Sequence, residues 1–120
     1  MSANQIRSSE DLANLVVKAA IDKKGEDILI INVKKALEIV ERFVIISANN
    51  KIQVSVIFDN IIKSLKNLKI RPLGVEGKSE NDWILIDLGD VVVHVFTKET
   101  REYYSLERLF KNAPVKQIKE

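Results

Sequence analysis

Several residue types on which protein function often depends are missing or scarce in this chain. The absence of cysteine excludes disulfides, thiolate metal sites and thiol nucleophiles. Among 120 residues there are one histidine, one tryptophan, two prolines and four glycines. An excess of charge of one sign is also lacking, because 19 Lys and Arg residues oppose 17 Asp and Glu residues for a net charge of +2. Global charge therefore does not predict binding to nucleic acid, and we expect no DNA partner.

Long apolar runs are lacking too. The first 11 residues have no apolar core of the kind found in signal peptides, and no apolar run approaches the roughly 18 residues of a membrane-spanning helix. We therefore expect a soluble, cytoplasmic protein without a membrane partner. The length predicts one domain over residues 8–113, between a flexible N-terminal segment (1–7) and a frayed C-terminal tail (114–120).

Apolar periodicity predicts the helices. A helix over residues 9–23 is expected to follow Ser8, a capping candidate, and to end at Gly25. A longer helix is expected over 50–68, after Asn49 and Asn50. Residues 34–41 have room for one or two helical turns. A short C-terminal helix near 105–111, capped by Ser105, is expected to follow a polar link.

Short runs of β-branched residues predict the strands. They lie at 27–33 and 43–47, followed by a short strand after Pro72 and by a hairpin over 82–97. The resulting order of elements predicts an α/β (α+β) domain with a mixed β-sheet of about five strands and helices packed on it.

The hairpin sequence DWILIDLGDVVVHVF (residues 82–96) contains the single tryptophan and the single histidine. A two-residue loop at Gly89 and Asp90 fits a tight turn that begins with glycine. Because side chains alternate across a strand, one face is then entirely aliphatic and is expected to pack under the helices: Ile84, Ile86 and Leu88 with Val91, Val93 and Val95. The other face pairs Trp83 with Phe96, Leu85 with His94, and Asp87 with Val92.

Two interpretations of this second face remain open from the residues alone. Aromatic anchors ringed by polar groups are typical of a protein interface. Alternatively, the C-terminal helix covers the face with an apolar lid formed by Tyr103, Tyr104, Leu106, Leu109 and Phe110.

The case for catalysis is weak. A strand histidine such as His94 is more often structural than a general base or a metal ligand. Asp87 and Asp90 could hold Mg²⁺, yet Asp90 is equally well explained as a turn residue. No GxGxxG, P-loop, GxSxG or HExxH motif is present. We therefore expect no catalytic residue, no metal and no cofactor.

A small basic cluster spans the end of the second predicted helix and the residues just after it. Its members have no acidic residue between them and are candidate RNA contacts: Lys63, Lys66, Lys69 and Arg71. The alternative, which we favour, is a solvated helix face whose cations suit the C-terminal end of the helix dipole.

The run PLGVEGKSENDWILIDLGDVVVHVF, followed by TKETREYYSLERLF, resembles the ribosomal silencing factor family, also called Iojap-like proteins. The matching elements are the PLGVEG turn, the W-x-x-x-D-x-G-D-x-x-V-H-x-F hairpin and the R-x-Y-Y-x-L-E-x-L run. The resemblance extends through GEDILIINV and RFVIISANN, over roughly residues 9–113. Two features depart from the family pattern: Phe110 replaces a common tryptophan, and residues 48–50 are poorer in Gly, Ser and Thr.

The resemblance implies a nucleotidyltransferase-like domain without the catalytic apparatus. It implies a repressor that binds large-subunit ribosomal protein fourteen, blocks joining of the small subunit and lowers translation when nutrients are short. The alternatives are a factor in large-subunit biogenesis, or a nucleotidyltransferase-type enzyme using Asp87 and Asp90 with Mg²⁺. We expect a homodimer when the partner is absent. The predicted partner contacts are Trp83, Leu85, Asp87, Leu88, Asp90, His94 and Phe96.

Overall fold

The computed structural model describes residues 6–119; residues 1–5 of the predicted flexible segment and residue 120 of the predicted tail lie outside that range. The elements in chain order are α1 (Ser9–Asp22), β1 (Glu26–Asn32), β2 (Arg42–Ala48), α2 (Lys51–Asn67), β3 (Gly74–Glu76), β4 (Trp83–Asp87), β5 (Val91–Thr97), α3 (Lys98–Tyr104), a 3-10 helix (Leu106–Phe110) and β6 (Val115–Gln117).

The strands form one mixed sheet in the order β3-β4-β5-β2-β1-β6. The central pair, β2 and β5, is parallel, and the other neighbours are antiparallel. Parallel strands need a long crossover connection, and here α2 with β3 and β4 supplies it. The predicted mixed sheet with packed helices is confirmed, with six strands in the described part of the chain instead of about five.

Helices α1 and α2 pack against one face of the sheet, where their apolar residues form the main core with the aliphatic face of the hairpin. Both helix starts have the predicted caps: Ser8 Oγ accepts from the Asp11 N–H at 3.1 Å, and Asn50 Oδ1 accepts from the Gln53 N–H at 2.9 Å. Each cap satisfies a backbone donor that the helix itself leaves unpaired.

The end of α1 differs from the prediction in its detail. Lys24, not Gly25, has the left-handed conformation, with φ of 63°. Gly25 is instead required by close packing, since a Cβ there would lie 2.9 Å from Ile46 Cγ2 and 3.1 Å from the Ala20 carbonyl oxygen.

Residues 34–41 form hydrogen-bonded turns, so the prediction of helix there is wrong. The Leu37 N–H donates to the Val33 carbonyl at 2.7 Å, and the Val33 N–H donates to the Glu41 carbonyl at 2.9 Å. The second bond ties the two ends of the segment together, which leaves a loop over the second face of the sheet.

The C-terminal region departs most from the prediction. The expected polar link is the helix α3, capped by Thr97. The helix expected near 105–111 is the 3-10 helix, and Ser105 occupies its N-cap position without capping it through the side chain. Ser105 has φ of 45°, and its hydroxyl donates to the Glu102 carbonyl at 2.7 Å. The expected frayed tail is also wrong over Val115–Gln117, which pairs with β1 as an edge strand. Local propensity did not predict this strand because it is stabilised by hydrogen bonds to the exposed edge of β1, which is distant in sequence.

Candidate docking surface

The hairpin has the predicted register. Trp83 pairs with Phe96, Leu85 with His94, and Asp87 with Val92. Gly89 has φ of +90°, in the region that favours glycine, and the Leu88 N–H donates to the Val91 carbonyl at 2.9 Å. The aliphatic face packs under the helices, with Ile84, Ile86, Val91, Val93 and Val95 fully buried.

The residues predicted as partner contacts lie at different depths. Phe96 is 0% exposed and His94 is 3% exposed, so the expectation that both lie on the open face is corrected: neighbouring aromatic rings cover them. Half-buried positions are occupied by Trp83, Leu85, Asp87 and Leu88, and Asp90 is exposed. Five of the seven are therefore at least partly accessible to a partner, with Leu88 packed at the hairpin tip against the core on the helix side of the sheet.

The indole of Trp83 is fixed by three neighbours. Its Nε1–H donates to His94 Nδ1 at 3.1 Å. Its ring lies 4.8 Å from the Phe96 ring and 4.9 Å from the Tyr104 ring, centroid to centroid. These contacts leave Trp83 partly exposed in one fixed orientation, which is how a rigid aromatic anchor is presented.

His94 is neutral in this arrangement. Burial lowers its pKa from 6.5 to about 4. Because Nδ1 accepts the indole hydrogen bond, the proton of the neutral ring lies on Nε2, a buried atom with no hydrogen-bond partner among the described residues. His94 thus holds Trp83 by accepting a hydrogen bond, as a structural histidine.

The lowered pKa predicts that acid destabilises the protein. Below pH 6.5 the unfolded chain takes up a proton at His94, whereas the folded chain does not until about pH 4. The contribution of His94 to the free energy of unfolding is therefore fully present above pH 6.5 and should fall by about 2 kcal/mol by about pH 5.

Urea unfolding as a function of pH checks this effect. The control is His94→Gln, which keeps an acceptor for the indole but does not titrate. The difference between the two stability curves isolates the histidine, and parallel curves from pH 7 to pH 5 would contradict the assignment.

Both aspartates at the tip of the hairpin have structural partners. Asp87 Oδ1 accepts from the Gly89 N–H at 2.9 Å. The Asp90 carbonyl accepts from the N–H groups of Glu41 and Arg42 at 2.9 and 3.0 Å, which leaves its carboxylate free to face solvent. Within residues 6–119, no group of three or more His, Asp and Glu side chains is placed to hold a metal ion.

Leu73 is a surface residue that no pattern in the sequence indicated. It is 75% exposed, its N–H donates to the Asp87 carbonyl at 2.8 Å, and its side chain lies beside Gly89. A leucine in a turn has no periodicity to mark it, so only the structure could place it beside the hairpin tip. We call Leu73, Trp83, Leu85, Asp87, Leu88 and Asp90 the docking surface.

The apolar lid predicted for the second sheet face covers only part of it. Leu106, Phe110 and Ala113 pack on the part formed by β1 and β2, where the Phe110 ring lies 5.2 Å from the Phe43 ring. Of the other expected lid residues, Tyr104 packs on Trp83, whereas Tyr103 is 82% and Leu109 is 74% exposed. Around β4 the face stays partly open.

The basic cluster lies in a different layer. Lys63, Lys66, Lys69 and Arg71 are all exposed, on or just after α2, which covers the opposite face of the sheet. The structure therefore does not bring this cluster together with the docking surface.

No helix in the described range is both long enough and apolar enough to cross a bilayer. The fold and the arrangement around Trp83 define a class of protein: a small α+β domain that presents a partly covered sheet face. The sequence model of one family, "Ribosomal silencing factor during starvation", matches residues 6–120. The chain belongs to the ribosomal silencing factor family.

Individual relatives agree with this membership. The chain is 40% identical over 111 residues to the ribosomal silencing factor of Halalkalibacterium halodurans, covering 92% of this chain and 95% of that protein. A crystal structure of a Chromobacterium violaceum protein matches with a TM-score of 0.82 at 30% identity, covering 85% of each chain. The mouse protein named mitochondrial assembly of ribosomal large subunit protein 1 is 31% identical over 111 residues, covering 90% of this chain and 48% of the mouse protein.

Proposed function

We propose that this protein is a cytoplasmic translational repressor that binds the large ribosomal subunit through ribosomal protein fourteen and blocks joining of the small subunit. Repression of this kind would lower translation when nutrients are limiting. Family membership supports the ribosomal role. The observation that carries the choice of surface is Trp83, held half-exposed by His94, Phe96 and Tyr104 at the open part of the sheet face.

The mechanism is steric and involves no chemical step. A partly buried aromatic side chain in one orientation loses little conformational entropy when a partner packs on it. Leu85 adds apolar area on the same face of β4, and Leu73 and Leu88 extend the apolar surface at the hairpin tip. The carboxylates of Asp87 and Asp90 at the rim suit a basic partner, where rim charges affect association rate and orientation more than affinity. His94 and Phe96 act beneath the surface by orienting Trp83.

Trp83→Ala tests the docking surface. We expect this variant to bind purified ribosomal protein fourteen at least about 30-fold more weakly, because truncating a central aromatic anchor costs about 2 kcal/mol or more. It should also fail to keep the small subunit from joining in gradient sedimentation with purified subunits. Ile52→Ala is the matched control, since Ile52 is 78% exposed on α2, in the opposite layer.

Two results would contradict the proposal. If the wild-type protein binds neither the large subunit nor protein fourteen, the proposed silencing role is wrong. A folded Trp83→Ala variant that binds like the Ile52→Ala control would place the interface elsewhere.

A role in large-subunit biogenesis is the second candidate, favoured by the mouse relative named for assembly of the mitochondrial large subunit. Deletion of the gene separates the two roles. Loss of assembly should leave precursor particles that sediment more slowly than the mature large subunit, whereas loss of silencing should leave normal subunits and increase joined ribosomes during starvation. A nucleotidyltransferase activity would instead show as Mg²⁺-dependent nucleotide binding in calorimetry that Asp87→Ala abolishes.

The docking surface also supports a homodimer in the absence of the partner. Leu73 is exposed and Trp83 and Leu85 are half-buried, so self-association would remove apolar area from water. Sedimentation equilibrium should show a dimer that Trp83→Ala weakens and that protein fourteen dissociates. A monomer at every accessible concentration would contradict this.

A further inference from the structure

A positively charged cleft lies on the same side of the sheet as the docking surface. It is a cleft of about 590 Å³ between the turn that follows β1 and the segment from the 3-10 helix to Pro114. Four exposed cationic side chains line it: Lys34, Lys35, Arg108 and Lys111. We call it the basic cleft.

The charge of the basic cleft is uncompensated. The described residues that line it include no Asp or Glu, and in the part of the chain that the structure describes none of its four cations is in an ion pair. Four like charges around one concave surface repel one another, which favours an anionic occupant. Leu109, which is 74% exposed, adds an apolar wall.

Fixed elements hold the two walls in place. Phe110 packs on Phe43 at the base of one wall, and the Asn32 N–H donates to the Pro114 carbonyl at 2.9 Å. On the other wall, Asn32 Oδ1 accepts from the Lys34 N–H at 3.1 Å. The fold therefore fixes the backbone positions from which the four cationic side chains extend into the cleft.

The position of the basic cleft relative to the docking surface indicates which anion would be near it. The cleft borders β1, and Trp83 lies on β4, three strands away in the sheet, or about 14 Å at the usual strand spacing. Both belong to the same sheet face, because Phe110 and Trp83 pack against one apolar cluster. If the partner at the docking surface is a ribonucleoprotein, its RNA is the anion available to the basic cleft on this face, while Lys63, Lys66, Lys69 and Arg71 lie in the opposite layer.

We propose that the basic cleft binds the phosphate backbone of a folded RNA beside the protein contact made by the docking surface. The inference rests on the proposed function, since it takes the RNA to be part of the ribosomal partner. Cation-to-phosphate contacts of this kind carry no sequence specificity and weaken steeply with salt.

Two charge-matched variants test the proposal. In the cleft variant Lys34, Lys35, Arg108 and Lys111 are replaced by alanine; in the helix variant Lys63, Lys66, Lys69 and Arg71 are replaced, with the same change in net charge. The probes are a fluorescein-labelled RNA stem-loop, the purified large subunit and isolated ribosomal protein fourteen. Vesicles containing phosphatidylserine and a polyglutamate peptide are the competing anions.

We expect the cleft variant to bind the RNA stem-loop and the large subunit at least about tenfold more weakly, with the salt dependence reduced by about one unit of slope for each lost phosphate contact. Its affinity for isolated protein fourteen should not change, and the helix variant should bind all three probes like wild type. Equal losses in both variants, wild-type binding by the cleft variant, or tighter binding to vesicles or polyglutamate than to RNA would each overturn the proposal.

The probes also separate this inference from the proposed function. Wild-type protein that binds protein fourteen but not RNA would refute the RNA site and keep the docking surface. Wild-type protein that binds RNA through the cleft but not protein fourteen would refute the docking partner and support the RNA site.

Discussion

Phe96→Ala is expected to lower the free energy of unfolding by about 4 kcal/mol. Phe96 is fully buried, and its ring lies 4.8 Å from Trp83 and 6.0 Å from His94, centroid to centroid. Truncating a buried phenylalanine loses the transfer free energy of the ring and leaves a cavity, and the two together typically cost about 3–5 kcal/mol. Denaturation in urea, followed by tryptophan fluorescence, measures the loss and reports directly on the neighbouring indole.

The same substitution should weaken partner binding beyond its effect on stability. Without the Phe96 ring, one of the three contacts that orient Trp83 is gone, so the anchor becomes mobile. Phe58→Ala is the matched control: Phe58 is 5% exposed but belongs to the core on the α2 side. Under conditions where both variants are folded, only Phe96→Ala should bind protein fourteen more weakly, and equal affinities would contradict the supporting role.

Arg101→Met is expected to lower the free energy of unfolding by about 3 kcal/mol. The Arg101 side chain is 11% exposed. Its Nη1 donates to the Asp27 carbonyl at 2.5 Å and to Ser47 Oγ at 2.7 Å, and its Nε donates to Glu107 Oε2 at 3.1 Å. Removing the arginine leaves the buried Ser47 hydroxyl and the partly buried Glu107 carboxylate without this partner, whereas the exposed Asp27 carbonyl can bond to water. Breaking a buried ion pair from one side typically costs about 3–5 kcal/mol, and the 31% exposure of Glu107 places this pair at the lower end of that range.

The position of Arg101 makes this variant informative about the C-terminal region. Arg101 is on α3, and its three partners lie on β1, on β2 and in the 3-10 helix, so it joins the C-terminal segment to the sheet. Hydrogen exchange should speed up in α3 and the 3-10 helix. Arg108→Met, an exposed arginine seven residues later, should leave both exchange and stability nearly unchanged, and equal effects of the two variants would contradict the proposed link.

A double variant separates the two parts of the Arg101 effect. Arg101→Met with Glu107→Gln removes the charge that the single variant leaves unpaired, so it should recover part of the lost stability. No recovery would indicate that the bonds to Asp27 and Ser47 carry the whole contribution. Because Tyr104 is on the same short helix and packs on Trp83, Arg101→Met should also weaken binding to protein fourteen.

Local rules in the sequence determine one part of the site by themselves. The register of the hairpin follows from a two-residue turn at Gly89 and from the alternation of side chains along its strands. A different register would move the aliphatic face out of the core, so the local sequence is enough to fix it. The starts of α1 and α2 likewise follow from short-range caps at Ser8 and Asn50. For the same reason, alternation along β4 is enough to assign Trp83, Leu85 and Asp87 to one face.

Tertiary structure alone decided how deeply each of these residues lies and what holds it. His94 and Phe96 share a face with Trp83, yet packing against aromatic rings from other elements buries them. Arg101 reaches partners 54 and 74 residues away, β6 exists because it pairs with β1, and the basic cleft joins residues near 34 to residues near 111. Contacts between segments so far apart depend on how the layers pack, and no local pattern in the sequence encodes that.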